Sequence, residues 1–326
     1  MNIELPSPIL SICIPTFNRS TLLNECLQSI IIAIEKKSTY INLVEIIISD
    51  NCSTDDTFIV ANYFCQKYTF IRYYKNDKNV IDLNFYLAAE RSIGKYVWIF
   101  GDDDVFLSNT FDIIFEHLYN DYSLIISNYS LWDFKLSKCL KESYLQRSKI
   151  KQIKDHNILM KLFGLRLAFI SCIIIKRDSF LSFDKEIYTN NIHTGFPFLL
   201  TVYFSQINNC KAFFITDTLF IQRGNFKHAS KEWWYKVFLI GSNSIFDMLK
   251  NYGYKDSAIT SAKLKILNSD IKEDIIYRKV NNDNINFVFK NLLKIYYKYP
   301  KNLSIILIYL FTPPFLYRLI FRIKNG

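Results

Sequence analysis

Five apolar or aromatic residues, Tyr96-Val97-Trp98-Ile99-Phe100, run through Gly101 into three consecutive aspartates, Asp102-Asp103-Asp104. No other stretch constrains the fold as strongly. The first half reads as a strand apolar on both faces, of the kind buried in a sheet covered by helices on each side. The second half puts three carboxylates at the strand end, where they repel one another and resist desolvation unless a cation sits among them. A hard divalent ion, Mg2+ or Mn2+, is the natural partner, because it takes oxygen ligands and adds phosphate oxygens from a substrate. Open α/β sheets also bind their ligands at the carboxyl ends of strands. An exposed acidic turn with no ligand would carry the same three letters, so the preceding segments have to decide.

Those segments repeat one pattern. Leu10 to Ile14 is a short buried strand stopped by Pro15, and Thr16-Phe17-Asn18-Arg19 forms a polar turn. Ser20 to Lys36 is helical, with Leu23, Leu27, Ile30, Ile31 and Ile34 on one face. A second strand, Leu43 to Ile48, ends in the polar run Ser49 to Asp56, and a helix follows from Thr57 to Lys67. Phe70 to Tyr74 makes a third strand and Leu83 to Ile93 a third helix, with Gly94 breaking the chain before the aspartate-bearing strand. Alternation with short connections predicts an α/β fold, a mostly parallel sheet flanked by helices.

Beyond the aspartates, Thr110 to Tyr119 and Phe196 to Ser205 are expected as helices, and Ser123 to Ser127, Ala168 to Ile175 and Ala212 to Ile215 as strands. Phe134 to Lys154 is polar and basic without a usable period. From Trp233 to Tyr299 nearly everything reads as helix with basic faces. The shift in composition near residue 230 divides the chain into residues 1–230 and a helical C-terminal extension, residues 231–326.

The net charge of +10 suits nucleic acid, an anionic membrane surface or phosphorylated substrates. Without a zinc finger, aromatic RNA-binding box or basic repeat, no nucleic-acid partner is expected. Seven cysteines, an odd number with no CxxC pair, argue for a reduced, cytoplasmic chain. The N-terminus lacks the basic-then-apolar build of a signal peptide. At the other end, Leu303 to Phe311 carries no charge, and Phe315 to Lys324 mixes aromatic, aliphatic and cationic residues. Such a tail suits a helix lying in a membrane interface; a helix docked on the protein's own core is the alternative.

Three strand ends thus carry polar clusters: Thr16 to Arg19, Asp50 to Asp56, and Asp102 to Asp104. Neighbouring parallel strands bring such ends to one rim. Carboxylates there can accept from base N–H and ribose hydroxyls while a metal neutralises a diphosphate, so the rim suits a nucleoside diphosphate. Neither a P-loop nor GxGxxG is present.

Ile14-Pro15-Thr16-Phe17-Asn18-Arg19, Ile48-Ser49-Asp50-Asn51-Cys52-Ser53-Thr54-Asp55-Asp56-Thr57 and Gly94 to Asp104, in this order and separation, resemble the family 2 glycosyltransferases of GT-A fold. Trp98-Ile99-Phe100-Gly101-Asp102-Asp103-Asp104 and Ala168 to Asp178 look most like the abequosyltransferase-like branch of bacterial O-antigen synthesis. The resemblance implies inverting transfer of a sugar, on that branch a dideoxyhexose such as abequose, from a nucleotide-sugar donor to a lipid-linked oligosaccharide acceptor. It implies that Pro15, Thr16 and Arg19 line the nucleotide pocket, that Asp50 accepts from the base and that Asp102 contacts the ribose. Asp103 would ligate Mn2+ or Mg2+, with Asp104 as a further partner of the metal. The enzyme would be cytoplasmic and peripheral on the inner face of the cell membrane, against an anionic surface.

Two departures stand out. Val80-Ile81 replaces the glycine usual between Asn79 and Asn84, and the proline usual after the aspartates is missing around Ser108-Asn109. The general base that must take the acceptor's proton belongs, by the resemblance, between Asp184 and Phe198, where Asp184, Glu186 and His193 are all candidates. Arg223, in Gln222-Arg223-Gly224-Asn225 with Lys227 and His228 nearby, is the candidate to stabilise the leaving diphosphate. The rival readings are a sugar nucleotidyltransferase, which would ordinarily show a glycine- and lysine-rich phosphate loop, and a non-catalytic nucleotide-sugar-binding subunit.

Overall fold

The computed structural model describes residues 7–145, 150–224, 235–283 and 285–317. Its chain divides into two compact units: residues 1–156, 166–192 and 197–227 form the first, and 157–165, 193–196 and 228–326 the second. The sequence-based boundary at 230/231 and the segment Asn225, Lys227 and His228 lie outside the described residues, as do residues 318–326 of the tail.

In the first unit the strands β1 (Leu10–Thr16), β2 (Val44–Asp50), β3 (Ile71–Lys75) and β4 (Tyr96–Ile99) alternate with helices α1 (Ser20–Glu35), α2 (Thr57–Lys67) and α3 (Leu83–Glu90). Then come β5 (Val105–Phe106), α4 (Thr110–Leu118), β6 (Leu124–Trp132), β7 (Cys139–Lys141), β8 (Gln152–Ile153), the helix α5 (His156–Phe163), which from residue 157 on belongs to the second unit, β9 (Ile173–Lys176), α6 (Arg177–Leu181), α7 (Lys185–Asn190), α8 (Pro197–Phe204) and β10 (Ala212–Arg223). The sheet runs β3-β2-β1-β4-β9-β6-β10-β5, with β7 paired to β6 and β8 to β10. β9 is antiparallel to both β4 and β6, and β5 is antiparallel to β10. The other six strands of that path therefore point one way, and the carboxyl ends of β1, β2, β4, β6 and β10 reach the same rim. Tyr96 to Ile99 and every residue of β2 are buried, as strands covered on both faces must be.

The β1–β4 ladder stops at Cys13 opposite Ile99, while β1–β2 continues to Thr16 opposite Asp50. Beyond Cys13 the β1–β4 ladder pairing ends, and this unpaired end of the seam is the crevice of the rim. Pro15 falls there, where a missing backbone donor is tolerated. Under the crevice, Trp98, Phe100, Phe106 and Phe220 form an aromatic core, with ring centroids 4.6 Å apart for Phe100–Phe106 and 4.9 Å for Trp98–Phe106. At the opposite end of the sheet Gly94 is held against β1: a Cβ there would sit 2.4 Å from Ser11 Oγ. Gly94 donates to that hydroxyl, and Glu45 Oε1, nearly fully buried, accepts from Ser11 Oγ, Ile93 N and Gly94 N.

Two sequence expectations change. Ala168 ends a 3-10 turn that begins at Gly164, Ile170–Cys172 is a second one, and the strand holds only Ile173–Lys176. The strand expected at Ala212 to Ile215 runs on to Arg223, bulged between Ile215 and Phe220. The unassigned stretch contributes the short strands β7 and β8.

The second unit is helical: α9 (Ser242–Lys250), α10 (Asp256–Ile266), α11 (Lys272–Val280), α12 (Asn286–Tyr296) and α13 (Pro300–Phe311), with π-helical turns at Lys236–Gly241 and Leu267–Ile271. Among the described residues no helix is long and apolar enough to cross a membrane.

Candidate active site at the sheet rim

The first two polar loops hold each other through side chain–backbone bonds. Asn18 and Cys52 both have positive φ, 51° and 69°, an uncommon conformation for residues with a Cβ. Asn18 offsets that cost because its amide N–H donates to Ser53 Oγ at 2.9 Å and its Oδ1 accepts from Thr54 N at 2.8 Å. Asp55 accepts from Thr57 N at 3.0 Å and Ser20 N at 3.0 Å, so one carboxylate serves the amino ends of α1 and α2. A buried amide network fastens the loop after β3: Asn51 Nδ2 donates to Asn79 Oδ1 at 2.6 Å, Val80 N to Asn51 Oδ1 at 2.8 Å, and Asn76 Nδ2 to Asn84 Oδ1 at 2.9 Å. None of these links follows from local periodicity.

Asp50 is completely buried at the end of β2. Its Oδ1 accepts from Ser53 N at 2.8 Å and its Oδ2 from the Tyr73 hydroxyl at 2.6 Å. Each oxygen retains a lone pair. Asp102 lies past the end of β4, where Oδ2 accepts from Thr16 Oγ1 at 2.8 Å and Oδ1 from Arg19 Nη1 at 2.9 Å. The same Arg19 nitrogen lies 3.5 Å from Asp103 Oδ2. Thr16, Arg19, Asp102 and Asp103, far apart in the chain, therefore form one cluster.

Its electrostatics are strained. Burial pushes the Asp102 carboxyl up against the pull of Arg19 and Thr16. Burial and then the Asp102 charge push Asp103 up to about 7, with Arg19 and Arg223 opposing. Asp104 is raised well above the carboxylate range by burial and by Asp103. Asp104 Oδ2 has no hydrogen-bond partner among the described residues, although the Ser171 hydroxyl beside it offsets part of the burial. A Cβ on Gly101 would come within 2.9 Å of Asp103 Oδ1, 3.0 Å of Asp104 Oδ2 and 3.3 Å of Ser171 Oγ. Glycine thus keeps open the space between two carboxylate oxygens, one of them unpartnered. That donor set fits a hard divalent cation. Among the described residues no three His, Cys, Asp or Glu side chains converge as a complete ligand shell. The arrangement matches an ion held by one or two carboxylates and completed by substrate phosphate.

Ser171 is the residue that sequence reasoning missed. Its hydroxyl accepts from Gly101 N at 2.9 Å and its carbonyl from Trp98 Nε1 at 2.7 Å, so the turn before β9 props the aspartate turn from below. The 3-10 geometry at Ile170–Cys172 is what directs both groups at β4. Arg223, at the end of β10, is the other support. Nε donates to Asp103 O at 3.1 Å, Nη1 to Phe134 O at 2.7 Å and Nη2 to Glu25 Oε2 at 2.5 Å. Its guanidinium is buried and committed to protein acceptors, so it holds the aspartate turn in this structure.

The base candidates separate. Asp184 caps α7, accepting from Glu186 N at 2.7 Å and Ile187 N at 3.0 Å. Lys185 between them pairs with Glu90 at 2.7 Å, at the end of α3 remote from the rim. Asp184 and Glu186 thus start a helix away from the aspartate cluster, and Asp184 is explained by capping. His193 is exposed in the turn Ile192–Thr194, a residue of the second unit. One carboxyl was overlooked: Asp82 precedes α3, and burial pushes it up to about 7.

The family described as Glycosyl transferase family 2 matches residues 11–180, a stretch that contains all three polar strand ends. Abequosyltransferase RfbV of Salmonella typhimurium is 29% identical over 236 residues, 67% of each chain. The GalNAc(5)-diNAcBac-PP-undecaprenol beta-1,3-glucosyltransferase of Campylobacter jejuni is 29% identical over 123 residues, 37% of this chain and 38% of that one. S. aureus TarS 1–349 in complex with UDP-GlcNAc superposes with a TM-score of 0.57 at 14% identity, over 79% of this chain and 71% of that one. The mannosyltransferase PcManGT from Pyrobaculum calidifontis, in complex with GDP-Man and Mn2+, gives 0.56 at 12% identity, over 81% and 71%.

Proposed function

Because the chain belongs to glycosyl transferase family 2 and has the GT-A fold, we propose that this glycosyltransferase moves a sugar, with inversion, from a nucleotide donor to a lipid-linked oligosaccharide in surface-polysaccharide synthesis. The observation that carries the reading is the rim itself: Asp50 and Asp102 both adjoin Thr16 at the strand ends, beside two carboxylate oxygens around the space kept open by Gly101. Of the two relatives, an abequosyltransferase and a glucosyltransferase named for a diphosphate-undecaprenol saccharide, the second supports the acceptor class by its name. A dideoxyhexose donor follows the first of these.

The nucleotide would lie along the crevice, with its base N–H donating to Asp50 and its ribose hydroxyls to Asp102, flanked by Pro15, Thr16 and Arg19. Asp103 and Asp104 would hold Mn2+ or Mg2+. When bound, that ion supplies charge neutralisation for the departing diphosphate. In the transfer the acceptor hydroxyl oxygen bonds to the anomeric carbon as the bond from that carbon to the phosphate oxygen breaks. The electron pair leaves with the nucleoside diphosphate and the hydroxyl proton passes to a base. His193, in the segment that resembles the family's acceptor-side motif, is proposed as that base ahead of Glu186 and of Asp184, which is occupied as a cap. Arg223 would reach the diphosphate only by giving up Glu25, its half-exposed partner. The enzyme would work as a peripheral protein on the inner face of the cell membrane, where such acceptors are presented.

A panel of nucleotide sugars tests the reading, screened for stabilisation against thermal unfolding with and without Mn2+. One nucleotide sugar should raise the midpoint only with the ion present, and then be consumed in transfer to a lipid-linked acceptor. A shift with a nucleoside triphosphate and a sugar phosphate in its place would establish the nucleotidyltransferase instead.

A further inference from the structure

The helix α13, Pro300–Phe311, has two apolar faces. Leu303, Ile306 and Leu310 are buried against the second unit. The helix is tied down at its end: Lys279 Nζ donates to Thr312 O at 2.6 Å, and the Tyr317 hydroxyl to Tyr309 O at 2.9 Å. The other face carries Ile305, Ile308 and Phe311, and the following turn adds Phe315 and Leu316. Ile308, Phe311 and Phe315 are 66%, 68% and 65% exposed, which a docked terminal helix has no need to be. Within α13 the spacing 305, 308, 311 keeps Ile305, Ile308 and Phe311 on one side of the helix, and Phe315 and Leu316 follow beyond the break at Thr312–Pro313. A contiguous apolar surface on an anchored helix marks a contact site.

Charge says what the contact is. No aspartate or glutamate follows Asp283. α12, whose Phe289 ring lies 5.9 Å from that of Phe311, exposes Lys290 and Lys294, the turn after it exposes Lys298, and Lys301 opens the exposed face of α13. These four cations follow one another at spacings of four, four and three residues along the chain with no acid among them. A protein partner would have to supply a large acidic rim around an apolar groove. An anionic bilayer supplies both, with headgroups for the lysines and an acyl boundary for the isoleucine and phenylalanine side chains.

We propose that the exposed face of α13, with the lysines of α12, is a platform that lies flat in an anionic lipid interface. It rests on the reading of the chain as a transferase to a lipid-linked acceptor only for its purpose. The helix of 12 residues rises about 18 Å and lies in the surface without crossing it. One face holds the helix to the protein and the other holds the protein to the lipid. Deleting the tail would uncover the partners of Leu303, Ile306 and Leu310, so point variants are the sharper probe.

The full chain is floated with phosphatidylcholine vesicles, with or without phosphatidylglycerol, at low and high salt. The wild type should bind the anionic vesicles and lose most of that binding in the uncharged ones and at high salt. Ile308→Asp/Phe311→Asp and, separately, Lys294→Glu/Lys298→Glu should each weaken vesicle partition at least ~10-fold, with unchanged circular dichroism and unfolding midpoint. Ile59→Asp, at a comparably exposed position of α2, should not. Should the double aspartate variant unfold, the lysine pair decides alone, since both side chains are on the surface. Full binding by the lysine variant overturns the proposal. So does a wild-type dimer in solution that Ile308→Asp/Phe311→Asp converts to monomer, because a second copy then covers the face. Vesicle binding needs no sugar donor: its loss with transfer intact sinks the platform alone, and its persistence in a chain that transfers nothing sinks the function alone.

Discussion

Arg19 holds Asp102 and Asp103 together through one nitrogen, Nη1, 2.9 Å from Asp102 Oδ1 and 3.5 Å from Asp103 Oδ2. After burial and the neighbouring Asp102 charge have raised Asp103, Arg19 is the largest influence bringing it down. Arg19→Gln should therefore raise the pH at which Asp103 ionises. The acid limb of kcat/KM, which reports the free enzyme, should move up by about half to one pH unit, with a loss of about 2- to 5-fold at neutral pH that recovers in alkali. A pH–rate profile with an unmoved acid limb would detach Arg19 from the ionisation of the cluster.

Asp103→Asn keeps the shape of the turn and removes one charge from the proposed ion site. Transfer should fall by at least ~100-fold, on the order of 3 kcal/mol of transition-state stabilisation. Titration of activity with Mn2+ checks it, and near-normal turnover with the ion still required would move the ion elsewhere.

Asp184 and His193 make opposite predictions. Asp184→Ala deletes the cap of α7 and should lower stability by about 1 kcal/mol while turnover of the folded enzyme stays close to wild type. His193→Ala should leave the unfolding midpoint and donor binding nearly unchanged and cut transfer by ~100-fold. Denaturant melts and nucleotide titration separate the two effects, and transfer lost through Asp184 in a folded enzyme would return the base to the carboxylate.

Asp82 is raised by burial to about 7, so its charge destabilises the fold at alkaline pH. Below about pH 4 the carboxyl is protonated in both states and costs nothing. As the pH rises from there toward 7 the unfolded chain ionises first and stability falls, reaching the full penalty above 7. Asp82→Asn should flatten that slope and gain on the order of 2 kcal/mol at pH 8, with no gain at pH 4. Unfolding midpoints at the two pH values are the check, and a variant equally destabilised at both would show that the carboxyl is held by a bond.

The parallel half of the sheet was legible because each of its elements has a local period. Leu10 to Ile14 and Leu43 to Ile48 are apolar runs ending in polar turns, and the helix after Ser20 shows its buried face in the spacing of Leu23, Leu27, Ile30, Ile31 and Ile34. Three polar strand ends in a parallel sheet must share a rim, so the meeting of Thr16, Asp50 and Asp102 was foreseeable before any coordinate. The apolar tail was legible in the same way, as composition.

What a period cannot carry is a contact between distant segments. Ser171 lies in an apolar run that reads as strand, yet Trp98 Nε1 and Gly101 N draw its carbonyl and hydroxyl into a 3-10 turn. Tyr73 is an ordinary strand tyrosine until its hydroxyl meets Asp50, and Arg223 an ordinary strand-end cation until Glu25, Phe134 and Asp103 take up its donors. Asp184 announces itself as an acid, and only the backbone N–H groups in front of it make it a cap. Strand, helix, polar rim and apolar tail could be read along the chain, because each depends on neighbours a few positions away. Tertiary structure decided which carboxylates are bonded and which oxygen of Asp104 is left over, because a hydrogen bond needs two groups within about 3 Å, whatever their separation along the chain.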